Sequence, residues 1–159
     1  MSKLWRTHTT VILIFGLVLL IVATAVAFIM TNFSQRVDVT IGSTIYSARV
    51  ADDAKERERG LSGVPLMKPN EALLMIYERE DYWGIWMKDM LIAIDIIWVN
   101  SEGEIVSIVK NASPELSTSK TFTPTKPARY VLEVPGGSTG SNAIKVGDTV
   151  HFELMGEEE

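Results

Sequence analysis

"GIWMKDMLIAIDIIWVN", residues 84–100, is the stretch on which the fold turns. It reads as a buried strand that carries three charges, because Lys88 and Asp89 sit among Trp, Met and Ile, and Asp95 stands alone in an apolar run. Alternation places Asp95 with Ala93, Ile97 and Val99, and Ile94 and Ile96 on the other face, so both faces are expected to be buried. An ionised carboxylate there needs a partner, and the expected ones are the cations of Lys88 and Arg59.

The neighbouring segments extend the β pattern. "IAIDIIWVN", the turn "NSEG" and "EIVSIVK" make a hairpin of two β-branched runs. Upstream, Val37, Val39 and Ile41 alternate with polar residues, and after Gly42-Ser43 the pattern resumes in "TIYSARV", a second hairpin. In "DDAKERERG" the period changes: Asp53 is an N-cap with Glu56 at N3, and Gly60 stands where a short helix would end. This is the one helix expected outside the N-terminal segment. "ALLMIY" reads as a short buried strand followed by an exposed connection "EREDY", and residues 111–127 as a long Ser/Thr/Pro-rich surface loop. "RYVLEV" and "TVHFELM" are the last strands. The fold class expected is all-β, a compact sandwich or barrel with one short helix.

"VILIFGLVLLIVATAVAFIM", residues 11–30, holds twenty residues without a charge, long enough for a single transmembrane helix. Lys3 and Arg6 precede it, so residues 1–10 are expected in the cytoplasm, with 31–36 a linker, 37–155 an extracytoplasmic domain and 156–159 an acidic tail. The rival reading is a signal peptide cleaved near "ATAVA", which would release the domain in secreted form. Beyond residue 35, 13 Lys and Arg stand against 20 Asp and Glu, a formal charge of −7, which argues against nucleic acid as a partner. There is no cysteine, so disulfides, thiolate metal sites and cysteine nucleophiles are excluded.

Three kinds of chemistry come into question for these residues. "GGSTG", residues 136–140, matches G-x-S-x-G, but the nucleophile elbow needs a following helix in a large α/β sheet, and only His151 is near in sequence; a glycine-rich turn is the better reading. Asp89, Asp95 and Glu133 could offer oxygens to a cation, but without a ladder of carboxylates no metal site is expected, and no cofactor. Arg59, Lys88, Asp95 and Glu133 could instead pair as a structural ion network, or line a ligand pocket with Trp86 as its wall. "YWGIW" and "MKDM" offer a further alternative, a membrane-contact surface.

"ERERGLSGVPLM", "ALLMIY", "WMKDMLIAIDIIWVNSEGEIVSI" and "ARYVLEVPGG…IKVGDTVHF" resemble, in order and spacing, the domain of unknown function 192 family, also called uncharacterised protein family 0127. The resemblance runs from about Ala51 to Phe152 and implies a compact β domain, often behind a signal peptide or anchor, with no established activity. It carries over Arg59, Gly60, Leu61, Trp86, Met87, Lys88, Asp95, Glu133 and Gly136. The chain departs from the family at Ser62, Asp89 and Met90, which puts a shared ligand in doubt.

The function expected is that of a binding or accessory module of the cell envelope, with a saccharide, a peptide or an envelope polymer as ligand and the membrane as partner through its N-terminal helix. The alternatives are a small hydrolase or lyase using Asp95 or Glu133 as acid or base, and a structural or protein-partner domain without a small ligand.

Overall fold

The computed structural model describes residues 13–24, 36–116 and 120–154. The chain divides into two units, Met1–Ser34 and Gln35–Glu159. In the first, residues 13–24 form a helix, α1. At 1.5 Å per residue it extends roughly 18 Å, and a bilayer core is about 30 Å thick. Among the described residues no helix is long and apolar enough to cross a membrane; both ends of the uncharged run 11–30, residues 31–35 of the expected linker and the acidic tail lie outside them, while Arg36 already belongs to the first strand.

The second unit is mostly β. Its strands are β1 (Arg36–Ile41), β2 (Thr44–Ala51), β3 (Glu71–Asp81), β4 (Ile85–Trp86), β5 (Ile94–Val99), β6 (Ile105–Ala112), β7 (Thr121–Phe122), β8 (Ala128–Pro135) and β9 (Val150–His151). Seven of them form one sheet in the order β6-β5-β8-β3-β2-β1-β9, while β4 and β7 make a separate ribbon. Both expected hairpins form: β1 pairs with β2 from Arg36↔Arg49 to Ile41↔Thr44, and β5 pairs with β6.

The β2–β3 pair is parallel, so the chain must cross from one end of β2 back to the start of β3. That crossover holds α2 (Ala54–Arg59), capped as its sequence requires. Asp53 accepts from Glu56 N–H at 2.7 Å, and Gly60 leaves the helix at φ 51°, a conformation that favours glycine.

The sheet curls into a half-barrel. Its end strands approach through a seam in which Val150 N–H donates to Gly103 O at 2.7 Å and Ile105 N–H to Asp148 O at 2.9 Å. One face gathers Val39, Tyr46, Ile97 and Leu132 with side chains from every strand of the sheet. The other, carrying Leu73, Ile96, Trp98 and Val131, is covered by the β4–β7 ribbon and the loops around it, which contribute Leu61, Met87 and Phe122. Every residue of β5 is buried, as its two-sided apolar pattern requires.

Several boundaries differ from the sequence reading. Residues 84–100 are not one strand: after β4 the chain turns at Lys88–Asp89, both exposed, with Asp89 at φ 56°, before β5 begins. The turn is fastened to the loop after α2, since Ser62 Oγ donates to Lys88 O and Gly63 N–H to Asp89 O, each at 2.8 Å. β3 continues to Asp81, because "EREDY" still pairs with β8 at Asp81↔Ala128 beyond a bulge. The 111–127 segment contains β7 and a 3₁₀ turn at Pro114–Leu116, and a second short helix, α3 (Ser138–Ser141), follows β8.

The seam yields a test. Gly103 sits at φ 82°, and a Cβ there would lie 2.9 Å from Val150 O. Gly103→Ala is expected to cost about 1–3 kcal/mol in urea unfolding, as backbone strain of this kind does. A loss below about 0.5 kcal/mol would mean that the seam does not hold the curled sheet together.

Candidate functional site

Two carboxylates are buried in the sheet, and the register separates them. Asp95 is opposite Val134 and Ile96 is opposite Glu133, so Asp95 points to the inner face with Ile97 and Val99, and Glu133 to the outer face with Val131 and Leu73. They cannot share a site. Each meets the cost of burial differently.

Asp95 has no cationic partner among the described residues. Its Oδ1 accepts from Asn111 N–H at 2.8 Å and Gly137 N–H at 3.0 Å; its Oδ2 accepts from Thr139 N–H at 2.8 Å and Thr139 Oγ1 at 2.6 Å. The loop 136–139 thus presents backbone N–H groups to an anion, and the anion is the protein's own. Asp95 serves α3 as the N-cap that Gly137, lacking a side chain, cannot be. Burial pushes its carboxyl up, but the donors of Asn111, Thr139 and Gly137 outweigh that and hold it below the usual carboxylate range. Gly136 is required at the same place, because a Cβ would come within 3.0 Å of Ala93 O and Asn111 Oδ1.

Glu133 lies on the other face, 3% exposed, and its Oε2 is buried without a hydrogen-bond partner. Burial pushes its carboxyl up to about 8, against the opposing pull of Arg49. At neutral pH it is therefore mostly protonated, a donor rather than a charge. The Arg49 guanidinium donates to Gly60 O at 2.7 Å and forms no ion pair with Glu133. Glu133 lines a cavity of about 470 Å³ between α2, β3 and the β4 segment. Gly60 leaves room above the carboxyl, since a Cβ there would stand 3.8 Å from Oε2 and 3.4 Å from Met75 Cε.

The cavity walls are aromatic. Tyr77 and Trp83 stack with centroids 4.1 Å apart and planes at 10°; the Arg57 guanidinium lies over Tyr77 at 4.9 Å and that of Arg79 over Trp83 at 5.8 Å. Arg57 also donates to Asp52 O and to Ile76 O, tying α2 to β3. Trp86, 44% exposed, stands at the opening with Lys88 Nζ 5.2 Å from its ring centre.

Of the residues expected in a pocket, Arg59, Trp86 and Glu133 line this cavity; Lys88 stays at its rim on Trp86, and Asp95 is across the sheet. Of the motif residues, Gly60 and Leu61 line it too, Met87 is buried in the outer core, and Gly136 belongs to the Asp95 loop. The sequence reading missed Arg57, Tyr77 and Trp83. One signal was available: in R-x-x-G-L the arginine three residues before Gly60 is Arg57, not Arg59. Among the described residues, no three His, Asp or Glu side chains are grouped to hold a metal.

Two predictions separate the carboxylates. Asp95→Asn replaces an acceptor of four hydrogen bonds by an amide that can accept at only one atom, and is expected to cost about 2–4 kcal/mol at pH 7. Lys88→Met, removing a charge that pairs with nothing buried, should change stability by less than about 0.5 kcal/mol; a loss comparable to that of Asp95→Asn would restore the ion pair. Because its folded pKa is depressed, the Asp95 contribution is present above the unfolded pKa of about 3.9 and lost as pH falls through the folded value. Glu133 acts oppositely. Between its ordinary value of 4.5 and about 8 the folded chain keeps a proton that the unfolded chain releases. Its contribution to stability therefore falls as pH rises across that window, by up to about 1.4 kcal/mol per pH unit. Urea unfolding against pH should show this slope in the native chain and its loss in Glu133→Gln; an unchanged slope in the variant would assign it elsewhere.

The fold and both sites can be set against known proteins. The DUF192 family, described as "Uncharacterized ACR", matches residues 35–152. A UPF0127 protein of Pyrococcus furiosus is 29% identical over 124 residues, which cover 74% of this chain and 97% of that one. A UPF0127 protein of Thermococcus sibiricus is 33% identical over 111 residues, 69% of this chain and 68% of its own. Among solved structures, a protein of unknown function from Novosphingobium aromaticivorans superposes with a TM-score of 0.71 at 27% identity, covering 76% of this chain and 87% of that one. A candidate transcription regulator from Sinorhizobium meliloti 1021 superposes with a TM-score of 0.68 at 26% identity, covering 74% and 92%. With the family pattern spanning the whole curled sheet and its cavity, the chain belongs to the uncharacterised DUF192/UPF0127 family.

Proposed function

We propose that this domain is a binding module whose ligand enters the cavity above Glu133, and that it acts as an accessory component of the cell envelope. One observation carries the reading: Glu133 Oε2 is buried without a partner while its side chain lines a cavity with aromatic walls and arginines at its edge. An unpaired buried polar group costs about 1–3 kcal/mol. A ligand acceptor meeting the protonated carboxyl would offset that cost, and a few convergent polar groups among apolar walls are what small-molecule sites need. The envelope location rests on the uncharged run 11–30 with Lys3 and Arg6 before it, which argues for an anchor with the domain on the outer side. The formal charge of −7 beyond residue 35 supports no nucleic-acid role, so the regulator description of the Sinorhizobium protein is not carried over.

A second reading has its own support. A carboxyl pushed up to about 8 holds a proton near neutral pH and can give it up, the property a general acid needs. It differs from simple binding in one variant. Glu133→Gln keeps a hydrogen-bond donor and should preserve binding while abolishing turnover; Glu133→Leu removes the donor and should abolish binding, with little loss of stability.

A thermal-shift screen of the full chain against sugars, cell-wall fragments, nucleotides and short peptides is the test. A ligand at 100 times its Kd adds about 2.7 kcal/mol, and the shift is expected to vanish in Glu133→Leu. A shift that persists in that variant would take Glu133 out of the site, and none with any compound would favour a structural or partner-binding domain. For the location, protease added outside intact cells should digest the domain; its protection would contradict an outward orientation.

A further inference from the structure

We propose that the ligand of the Glu133 cavity is a small organic anion, a carboxylate carried on a flat or ring-shaped body, held by Arg59 at the mouth and resting on the exposed Trp86 ring. This rests on the binding role proposed above and narrows it to one class of compound.

The charges point to an anion. The cavity is lined by Arg57, Arg59 and Arg79 against Glu58 and Glu78, with the Glu133 carboxyl neutral at its floor. With Arg79 paired to Asp81, Arg57 and Arg59 balance Glu58 and Glu78, so the lining carries no negative excess on a domain whose formal charge is −7. A cationic ligand would find no buried counter-charge there. An anion finds a free guanidinium.

That guanidinium is Arg59. Arg57 is committed to two carbonyls and to the face of Tyr77, and Arg79 pairs with Asp81 at 3.2 Å and lies over Trp83. Arg59 is exposed, its guanidinium has no hydrogen bond or ion pair to any described residue, and its charge bears on Arg49, whose pKa burial and Arg59 together lower. An anion on Arg59 would relieve this like-charge contact, and a carboxylate matches the planar fork of a guanidinium.

The rings fix where the body of the ligand lies. Tyr77 and Trp83 stack on each other and the Arg57 and Arg79 guanidiniums lie over their rings, so neither is a bare platform. Trp86 stacks on no other ring among the described residues and has the Lys88 ammonium 5.2 Å from its centre. Trp86 is 44% exposed and lines the cavity, and a ring resting on it would place a carbonyl, ether or hydroxyl oxygen toward the cavity floor, where Glu133 can donate.

The test uses two matched pairs of probes that differ in charge: glucuronate with glucose, and benzoate with benzamide. Each is titrated into the ¹⁵N-labelled full-length chain while the indole N–H signals are followed, that of Trp86 being assigned from Trp86→Phe. The anionic member of at least one pair should shift the Trp86 signal with about tenfold tighter binding than its neutral partner. Which pair responds distinguishes a sugar acid from an aromatic acid. Arg59→Ala, an exposed change expected to leave the fold intact, should bring the two members to equal affinity. Equal binding of both members to the native chain, or a preference that survives Arg59→Ala, would overturn the anion while leaving the cavity a binding site. No shift by any of the four probes would overturn this proposal, and the wider screen would then decide the binding role by itself.

Discussion

A strand that is apolar on both faces must be covered twice, and β5 imposes that constraint on everything around it. Curling the sheet covers one face, because the end strands come together at Gly103 and Val150 and enclose Tyr46, Ile97 and Leu132. The other face cannot be covered by the same sheet. It needs a second layer, and the chain supplies one from the β2–β3 crossover, the β4–β7 ribbon and the turn at Lys88–Asp89. The cavity is the place where this layer does not close. Its floor is the sheet at Glu133, and its walls are the pieces of the cover.

The two buried carboxylates show what such a fold can do with charge. Asp95 remains ionised without any cation among the described residues, since four donors from the end of β6 and from the loop and helix after β8 replace the water it lost and fasten that loop to the sheet. This is a structural use of an anion, and it saturates the group. Glu133 receives no such donors and settles the cost by keeping its proton. An unsaturated, neutral carboxyl facing a cavity is poor as a structural element and well suited to meeting a ligand, which is why the function is placed there and not at Asp95.

Much of this was legible in the sequence. The β1–β2 and β5–β6 hairpins, the capped α2 and the burial of β5 on both sides follow from period, caps and turn residues, and each forms. What failed depended on long-range pairing. "EREDY" looks like an exposed loop, and only β8 on one side makes it strand. Asp95 looked as if it needed a cation because its real partners are some sixteen to forty-four residues away and are mostly backbone N–H groups, which carry no residue signature. Arg59, Trp86 and Glu133 were readable as unusual residues in apolar company, but the register that divides Asp95 from Glu133 was not. Tyr77 and Trp83 were missed because the strand between them shifts its register, which no local pattern announces.

The central claim is that Glu133 is a neutral carboxyl at the floor of an accessible cavity. Its ionisation can be read directly by following the ¹³C signal of its side-chain carboxyl, assigned from Glu133→Gln, as pH is raised through the neutral range. The account requires a midpoint near 8, far above the ordinary 4.5 of a glutamate. A midpoint in the ordinary carboxylate range would mean that the group is ionised and paired or hydrated in solution, and the site built on its proton would not exist.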